Sequence, residues 1–292
     1  MKTATAIEHA MRLDGVDAYE SARMMKEAGF DGVDLSMCHE QMRPDFMVTE
    51  EWAKPLYERY EAIRAAGLEV VQCHLPYYPG HLPLPGDGSY EAFEEFSLGG
   101  LIHGIEIAGK MGCPVAVLHP FLDVNNDQAT FEGNIRLIRV LLPHLEKHNV
   151  RLALENVYAH DSRNYHPSVT ARAEDIMKIL EAVDSEYVGA CIDTGHANIF
   201  RLNIGKMARL YGKRLFALHV NSNAGEDEHL IPYSIPAWCE RVNYPDFLAA
   251  LREVGFEGAL NLEVGTGDMP AGCGKLFLGM AGLVARSMAN AE

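Results

Sequence analysis

The chain has 292 residues, of which 48% are hydrophobic, so it can bury a sizeable core without disulfides or a structural metal. Acidic residues number 41 against 25 lysines and arginines, and the formal charge of −16 repels phosphate backbones and anionic membranes. We therefore expect no nucleic-acid partner. The N-terminal region lacks the charged and apolar pattern of an export signal, and no apolar stretch is long enough to span a bilayer, so we expect no membrane partner.

The cysteines indicate a reducing compartment. They are scattered without any Cys-x-x-Cys pair, and Cys73 and Cys191 lie inside apolar runs. We expect all six to be reduced thiols of the core in a cytoplasmic protein. The six are Cys38, Cys73, Cys113, Cys191, Cys239 and Cys273.

In chain order, the first predicted helix follows Asp17, an acidic N-cap placed three residues before Glu20, with Ala22, Met25 and Ala28 at helical spacing. The same spacing occurs in seven later segments. These segments are residues 50–66, 90–111, 127–148, 171–183, 203–211, 245–254 and 272–289.

Short apolar runs alternate with these helices. Residues 27–35 (EAGFDGVDL) are echoed by residues 253–263 (EVGFEGALNLE), and the theme recurs at residues 66–73, 111–118 and 148–154. Glycine or asparagine after a helix is a typical left-handed C-cap, and the run after it suits a buried parallel strand. Eight helices alternating with about eight strands predict a barrel or a doubly wound sheet. No linker divides the chain, so we expect one domain over residues 1–292.

The residues that close the apolar runs favour a barrel over a doubly wound sheet. Six of these residues have side chains that can bind a metal, and in a (β/α)8 barrel all strand C-termini meet at one mouth. Alone, each would more often be a packing histidine or a solvated acid, but core packing would not select six such residues on one face. Buried carboxylates beside imidazoles need hydrogen bonds or a cation, so we predict a single eight-stranded TIM barrel with a divalent-metal site. The six residues are His74, His119, Glu155, Asp193, His219 and Glu263.

Four short segments resemble the motifs of the xylose-isomerase-like barrel superfamily of sugar isomerases and epimerases, which also contains the endonuclease IV type of repair enzyme. The most specific is the Asp-Thr-Gly-His element, and the four together cover strands three to eight. The resemblance implies that Glu155, Asp193, His219 and Glu263 bind one divalent metal ion (Mn, Mg, Co or Zn), and that His196 contacts the substrate. The segments are Leu154-Glu155-Asn156, residues 192–196 (IDTGH), residues 218–221 (LHVN) and Leu262-Glu263.

The endonuclease IV branch uses additional ligands, which here match His74, His119, His196, Asp227 and His229. Additional zinc is therefore one interpretation of these residues. The favoured interpretation is that these five residues, together with Asn156, bind the hydroxyl groups of a carbohydrate. The net charge and the lack of clustered lysine or arginine argue against DNA binding.

The sequence departs from one branch of the superfamily. Ketose 3-epimerases usually carry an arginine six residues beyond the histidine of strand seven, where this chain has Gly225. The particular epimerase class is therefore not determined by the resemblance.

The resemblance implies proton transfer by Glu155 and Glu263 through an enediolate that the metal stabilises. We therefore predict a metal-dependent sugar isomerase or epimerase acting on a small-molecule carbohydrate. An enediolate beside a leaving group would eliminate it, so a dehydratase or a lyase that deglycosylates keto-sugars is the main alternative. A phosphodiester hydrolase and a barrel that binds a sugar without turnover are weaker alternatives. A homo-oligomer is compatible with the sequence.

The loops at residues 76–88, 158–168 and 221–243 are long, and long loops are where barrels place function. They and the other segments after strands carry aromatic residues suited to stacking on a sugar or to packing on the barrel rim. These aromatics are Tyr77, Tyr78, Phe121, Tyr158, Tyr165 and Trp238.

Overall fold

A computed structural model describes residues 1–38, 42–77, 86–160, 165–236 and 242–291 of the chain. Eight parallel strands form one sheet, and β6 and β7, of two residues each, pair antiparallel in a separate small sheet. The strands are β1 (Thr3–Ala6), β2 (Gly32–Ser36), β3 (Glu69–His74), β4 (Val115–Leu118), β5 (Arg151–Glu155), β6 (Ala159–His160), β7 (Tyr165–His166), β8 (Val188–Asp193), β9 (Leu215–His219) and β10 (Leu260–Leu262).

The sheet closes into a barrel. Its strand order is β10-β1-β2-β3-β4-β5-β8-β9, and the last gap is bridged where Val220 N donates to Asn261 O at 2.8 Å. The helices of the described ranges surround this ring, as parallel strands require crossover connections. They are α1 (Glu8–Asp14), α2 (Ala18–Glu27), α3 (Pro44–Met47), α4 (Glu50–Ala65), α5 (Tyr90–Lys110), α6 (Asp127–His148), α7 (Ala173–Val183), α8 (Thr194–Ile199), α9 (Ile204–Tyr211), α10 (Tyr244–Val254) and α11 (Gly274–Ala289).

The predicted single (β/α)8 barrel is confirmed. Local predictions hold as well: the Asp17 side chain accepts a hydrogen bond from Glu20 N at 2.9 Å, and helices α6 and α10 end at left-handed Asn149 and Gly255. Within the described ranges, none of the helices combines the length and the hydropathy needed to cross a bilayer.

Other features did not follow from the sequence patterns. Strand β1 and helix α1 lie in an N-terminal segment for which no element was predicted, because four residues show too little periodicity. The prediction that all six cysteines are core thiols is wrong for Cys38 and Cys273, which are partly exposed free thiols. Cys239 lies outside the described residues.

The barrel interior is built in layers, because alternate residues of each strand point inward. Small apolar side chains occupy the interior directly below the C-terminal mouth, including Ala153, Cys191 and Ala217. Each lies two positions before a residue that closes its strand: Glu155, Asp193 and His219. The closing residues therefore form the next layer, at the mouth.

Candidate metal centre

Six potential ligands converge at the C-terminal mouth of the barrel, as the sequence predicts. They close or directly follow β3, β4, β5, β8, β9 and β10, and parallel pairing places these strand ends side by side. Strand register also aligns Asp193 opposite His219. The barrel therefore brings together residues that are up to 189 positions apart in the chain, from His74 to Glu263.

Four of these residues form the largest group of potential ligands among the described residues, which we call the strand-end set: Glu155, Asp193, His219 and Glu263. Each offers one ligand atom, and these atoms all lie within 4.8 Å of one another. His219 Nδ1 lies 3.1 Å from Glu155 Oε1 and 3.3 Å from Glu263 Oε2. Glu155, Asp193 and His219 are fully buried, whereas the side chain of Glu263 is 27% exposed and faces the cavity.

Hydrogen bonds from neighbouring residues fix the orientation of Asp193. Its Oδ1 accepts from His196 N at 2.7 Å at the start of α8, and its Oδ2 accepts from Asn221 Nδ2 at 2.9 Å. Asn156 holds the backbone of Asp193, accepting from its N–H at 2.8 Å and donating to its carbonyl at 3.0 Å. The Asn156 amide therefore positions Asp193, and its predicted contact with a substrate stays a prediction.

His74 and His119 line the wall above the strand-end set. His74 Nε2 lies 3.6 Å from Glu155 Oε2, and its Nδ1 lies 3.6 Å from Glu263 Oε1, so this ring stands between the two glutamates. His119 Nε2 lies 3.0 Å from Glu155 Oε2. Both rings are therefore close enough to bind a metal ion together with Glu155, or to contact a molecule bound near the two glutamates.

A second group, the loop set, comprises Tyr158, Asp227 and His229. The Tyr158 hydroxyl donates to Asp227 Oδ2 at 2.6 Å, and Asp227 Oδ1 lies 3.0 Å from His229 Nε2. His229 Nδ1 lies 3.5 Å from Glu263 Oε2, which links the loop set to the strand-end set. His196 stands between the two sets, with its Nε2 3.7 Å from Asp227 Oδ1 and its Nδ1 3.3 Å from Glu155 Oε1.

The electrostatics of the strand-end set show an excess of negative charge. Burial raises the pKa of Glu263 to about 8. The negative charges of Glu155 and Asp193 also raise this pKa, whereas the imidazoles of His219 and His229 lower it. Burial opposes a charge on His219, but the surrounding acidic groups, Cys191 and the two glutamates, hold its pKa well above the usual range. Protons therefore compensate the carboxylates when no other cation does so.

Other histidines of the mouth divide into neutral and charged ones. Burial, together with His119 and His219, lowers the pKa of His74 to about 3, so this ring is neutral. Burial opposes the charged form of His196, but Asp193 and Glu155 raise its pKa to about 10.

Buried polar atoms without hydrogen-bond partners indicate whether these residues suit a metal ion, because a bound ion would supply the missing partner. Glu263 Oε2 is buried and has no hydrogen-bond partner among the described residues, and it lies 3.3 Å from His219 Nδ1. Glu155 Oε2 is also buried without a hydrogen bond of good geometry in those ranges, although His119 lies close. Buried polar atoms without partners are costly, and three carboxylates with one imidazole suit Mn²⁺, Mg²⁺, Co²⁺ or Zn²⁺. The residues present therefore fit a divalent cation.

One cavity of about 2350 Å³ opens over this centre and is lined by His74, His119, His196 and Glu263. It exceeds the roughly 300–1,000 Å³ of typical small-molecule sites. Tyr77 stacks on His119 with ring centroids 4.6 Å apart.

The other predicted aromatics have mixed outcomes. Tyr158 and Tyr165 pack edge to face at 4.7 Å beside His196, and both line the cavity. Phe121 also borders the cavity, but it is 1% exposed and packs on Tyr90. Tyr78 and Trp238 lie outside the described residues.

Two residues at the centre were not assigned a role from the sequence. Asn221 belongs to the 218–221 segment, but its hydrogen bond to Asp193 depends on tertiary structure. Asp34 lies on β2 below His219, with its Oδ2 3.5 Å from His219 Nε2. An acidic residue at an inward position of an apolar strand was the available signal.

These features define a class: a parallel β/α barrel with a buried cluster of carboxylates and imidazoles at its C-terminal mouth. The family described as xylose isomerase-like TIM barrel matches residues 22–275, and the chain belongs to it.

Three similar proteins illustrate the relationship. A D-psicose 3-epimerase from Enterocloster bolteae is 29% identical over 143 residues, which are 48% of this chain and 42% of that protein. A xylose isomerase domain protein from Alicyclobacillus acidocaldarius is 19% identical, with a TM-score of 0.70 over 99% of this chain and 98% of its own. A 3-keto-D-glucoside 4-epimerase from E. coli is 18% identical, with a TM-score of 0.66 over 96% of this chain and 97% of its own.

The chain spans about half the length of the curated relatives it matches. The two solved structures share its fold across almost their whole length. Several proteins among these relatives and structures are sugar epimerases by name, which agrees with the class of activity that the sequence indicates.

Proposed function

We propose that the protein is a divalent-metal-dependent isomerase or epimerase of a keto-sugar or a related polyol. The observation that carries the proposal is the convergence of Glu155, Asp193, His219 and Glu263, whose ligand atoms lie within 4.8 Å of one another beneath an open cavity. The strand-end set is the proposed metal site, and Glu155 and Glu263 are the proposed catalytic pair. A metal ion bound there supplies Lewis-acid stabilisation of negative charge on the substrate oxygens.

The two glutamates are the proposed proton carriers because they flank one space. Both have a carboxylate oxygen 3.6 Å from the His74 ring, on its Nε2 and Nδ1 sides respectively. A sugar bound over this ring would therefore lie within reach of both carboxylates. One glutamate removes the proton next to the carbonyl and the other returns it to the opposite face, which inverts the carbon.

The remaining polar residues of the mouth suit binding of hydroxyl groups. His74 is neutral and His119 borders the cavity, so both can exchange hydrogen bonds with a sugar. His196, Asp227 and His229 line the same cavity from the opposite wall. We propose that these five residues orient the substrate, whereas Asn156 orients Asp193.

The direct test uses metal-loaded protein and a panel of keto-sugars in D₂O. Protein saturated with Mn²⁺ or Co²⁺ is incubated with D-fructose, D-psicose, D-tagatose and keto-glycosides, and the products are analysed by NMR. We expect deuterium at the carbon next to the carbonyl, together with an epimer or isomer. A chelator should abolish the exchange, and added metal should restore it. Equal turnover by metal-free protein would refute the proposal.

The same experiment separates the lyase alternative, since both reactions begin with removal of the same proton. Loss of water or of a glycosyl group from the product, without recovery of an epimer, would identify a lyase. The residues assigned above would keep their roles in that case. The prediction of an isomerase would be replaced.

A phosphodiester hydrolase is a second candidate, favoured by two of the three further groups of potential ligands among the described residues. His74, His119 and Glu155 form one, and His196, Asp227 and His229 form the other, each with ligand atoms within 4.8 Å. Elemental analysis of purified protein distinguishes the candidates. One ion per chain supports sugar chemistry, whereas three zinc ions and cleavage of abasic DNA would support the hydrolase. The formal charge of −16 argues against a nucleic-acid substrate.

A further inference from the structure

Asp34 is a buried carboxylate for which the proposed reaction has no use. It lies on β2 and is 6% exposed, in the interior layer beneath the strand-end set. This layer is formed by the residues two positions before those that close their strands, including Gln72, Ala153, Cys191 and Asn261. Among these, only Asp34 carries a formal charge. Burial of a carboxylate below a metal site has a cost, so its contacts indicate what it stabilises.

Two amides hold Asp34 in place. Gln72 Nε2 donates to Asp34 Oδ2 at 2.8 Å, and Asn261 Nδ2 donates to the same oxygen at 2.7 Å. Both donors are buried and come from the strands on either side of the β1–β2 pair in the barrel wall. The carboxylate is therefore held by rigid elements rather than by a loop.

The held oxygen faces His219. Asp34 Oδ2 lies 3.5 Å from His219 Nε2, while His219 Nδ1 points to the glutamates at 3.1 and 3.3 Å. An imidazole nitrogen binds a metal through its lone pair, so a neutral ring bound through Nδ1 must carry its proton on Nε2. That proton would then point toward Asp34.

The Cys191 thiol lies in the same layer as Asp34 and also interacts electrostatically with His219. Sulfur is a weak hydrogen-bond acceptor, whereas a carboxylate is a strong one. Asp34 is therefore the better partner for the Nε2 proton. Cys191 provides a control at the same depth of the barrel.

We propose that Asp34 is a positioning residue: it accepts the Nε2 proton of His219, fixes the ring with Nδ1 toward the centre, and so increases the affinity for a divalent metal. This inference rests on the metal site of the proposed function. Carboxylates that orient metal-binding histidines typically change metal affinity about 10- to 100-fold when they are removed. The effect is on ligand geometry and basicity, not on the reacting sugar.

The test measures metal binding rather than turnover. Metal-free wild type, Asp34→Asn and the control Cys191→Ala are titrated with Mn²⁺ and with Co²⁺ by calorimetry, after circular dichroism has verified their fold. We expect the affinity of Asp34→Asn to be about 10- to 100-fold lower. The control should stay within about threefold of wild type, because a thiol is a weak acceptor. If Asp34→Asn does not fold, Asp34→Ser takes its place.

A second measurement needs no variant. Histidine ¹⁵N–¹H spectra of Zn²⁺-loaded wild type report which nitrogen of His219 carries the proton. A protonated Nε2 supports the inference, and a protonated Nδ1 overturns it.

The outcomes are distinguishable. If wild type binds neither metal, the metal site fails and the inference fails with it. If wild type binds metal and Asp34→Asn binds it equally well, only the inference fails. A lower melting temperature of the variant would then show a structural role of Asp34 and would not rescue the inference.

Discussion

The strand-end set and the loop set meet at one cavity but differ in how they are held. Glu155, Asp193 and His219 close barrel strands and are fully buried, and neighbouring buried side chains orient Asp193 and His219. Asp227 and His229 lie on a loop and keep 29% and 27% of their side chains exposed, and they are held by one another, by the Tyr158 hydroxyl and by the Glu263 carbonyl. Rigid, desolvated ligands suit permanent binding of a cation, whereas partly exposed groups suit contact with a substrate that enters and leaves.

The largest expected effect comes from the strand-end set. Glu155→Gln removes a proposed ligand and proton carrier, so we expect turnover of the sugar to fall about 10²- to 10⁴-fold, with weaker metal binding. Glu69→Gln is the matched control, since Glu69 begins strand β3 at the opposite end of the barrel and its side chain is 64% exposed. Deuterium exchange and calorimetry measure both effects. Wild-type turnover in Glu155→Gln would remove this residue from the reaction.

The next effect is on the pH dependence of metal binding. Burial raises the pKa of Glu263 to about 8, so this carboxyl is mostly protonated below that pH and must lose its proton to bind a cation. We therefore expect Mn²⁺ affinity to fall as pH is lowered from 8 to 6, about tenfold per unit for each displaced proton. Calorimetry in buffers of different ionisation enthalpy counts the protons released. An affinity that is constant over this range would contradict the assignment of Glu263.

A smaller effect is expected from the loop set, where Asp227→Asn should weaken substrate binding and leave the metal. Hydrogen bonds to charged groups contribute about 1.5–3 kcal/mol, so we expect KM to rise about tenfold or more. The kcat should change less, because Asp227 is not assigned to proton transfer. Tyr158→Phe, which removes the hydroxyl bound to Asp227, should act in the same direction. Loss of an ion from Asp227→Asn would show instead that the loop set is a ligand site.

The smallest expected effect concerns Asn221, whose side chain holds Asp193 of the strand-end set. A Cβ at Gly195 would lie 1.9 Å from Asn221 Oδ1, so Gly195→Ala must displace the side chain that holds Asp193. We expect a loss of about 1–3 kcal/mol in the free energy of unfolding, together with weaker metal binding. Gly279→Ala is the control: a Cβ there meets no atom within 4 Å, and alanine favours its helix by up to about 1 kcal/mol. Thermal and denaturant unfolding compare the two variants.

Much of the site could be predicted because a barrel converts sequence position into spatial position. Once His219 and Glu263 are recognised as strand ends, the parallel topology alone brings them to one mouth. Contacts made by side chains within a layer could not be predicted in this way. Asn156 follows Glu155 directly in the chain, but its hydrogen bond to the Asp193 backbone could not be predicted, because only the packing of neighbouring strands decides it.

The sequence by itself determined the alternation of helices and strands, the single barrel and the six residues that close its strands, since periodicity, capping and apolar runs are local properties. Tertiary structure alone decided that β1 joins the ring, that Asp34 lies beneath His219, and that Asp227 and His229 reach the same cavity. These features depend on strand register and on which side of a strand faces inward. Both are set by packing between segments that are distant in the chain.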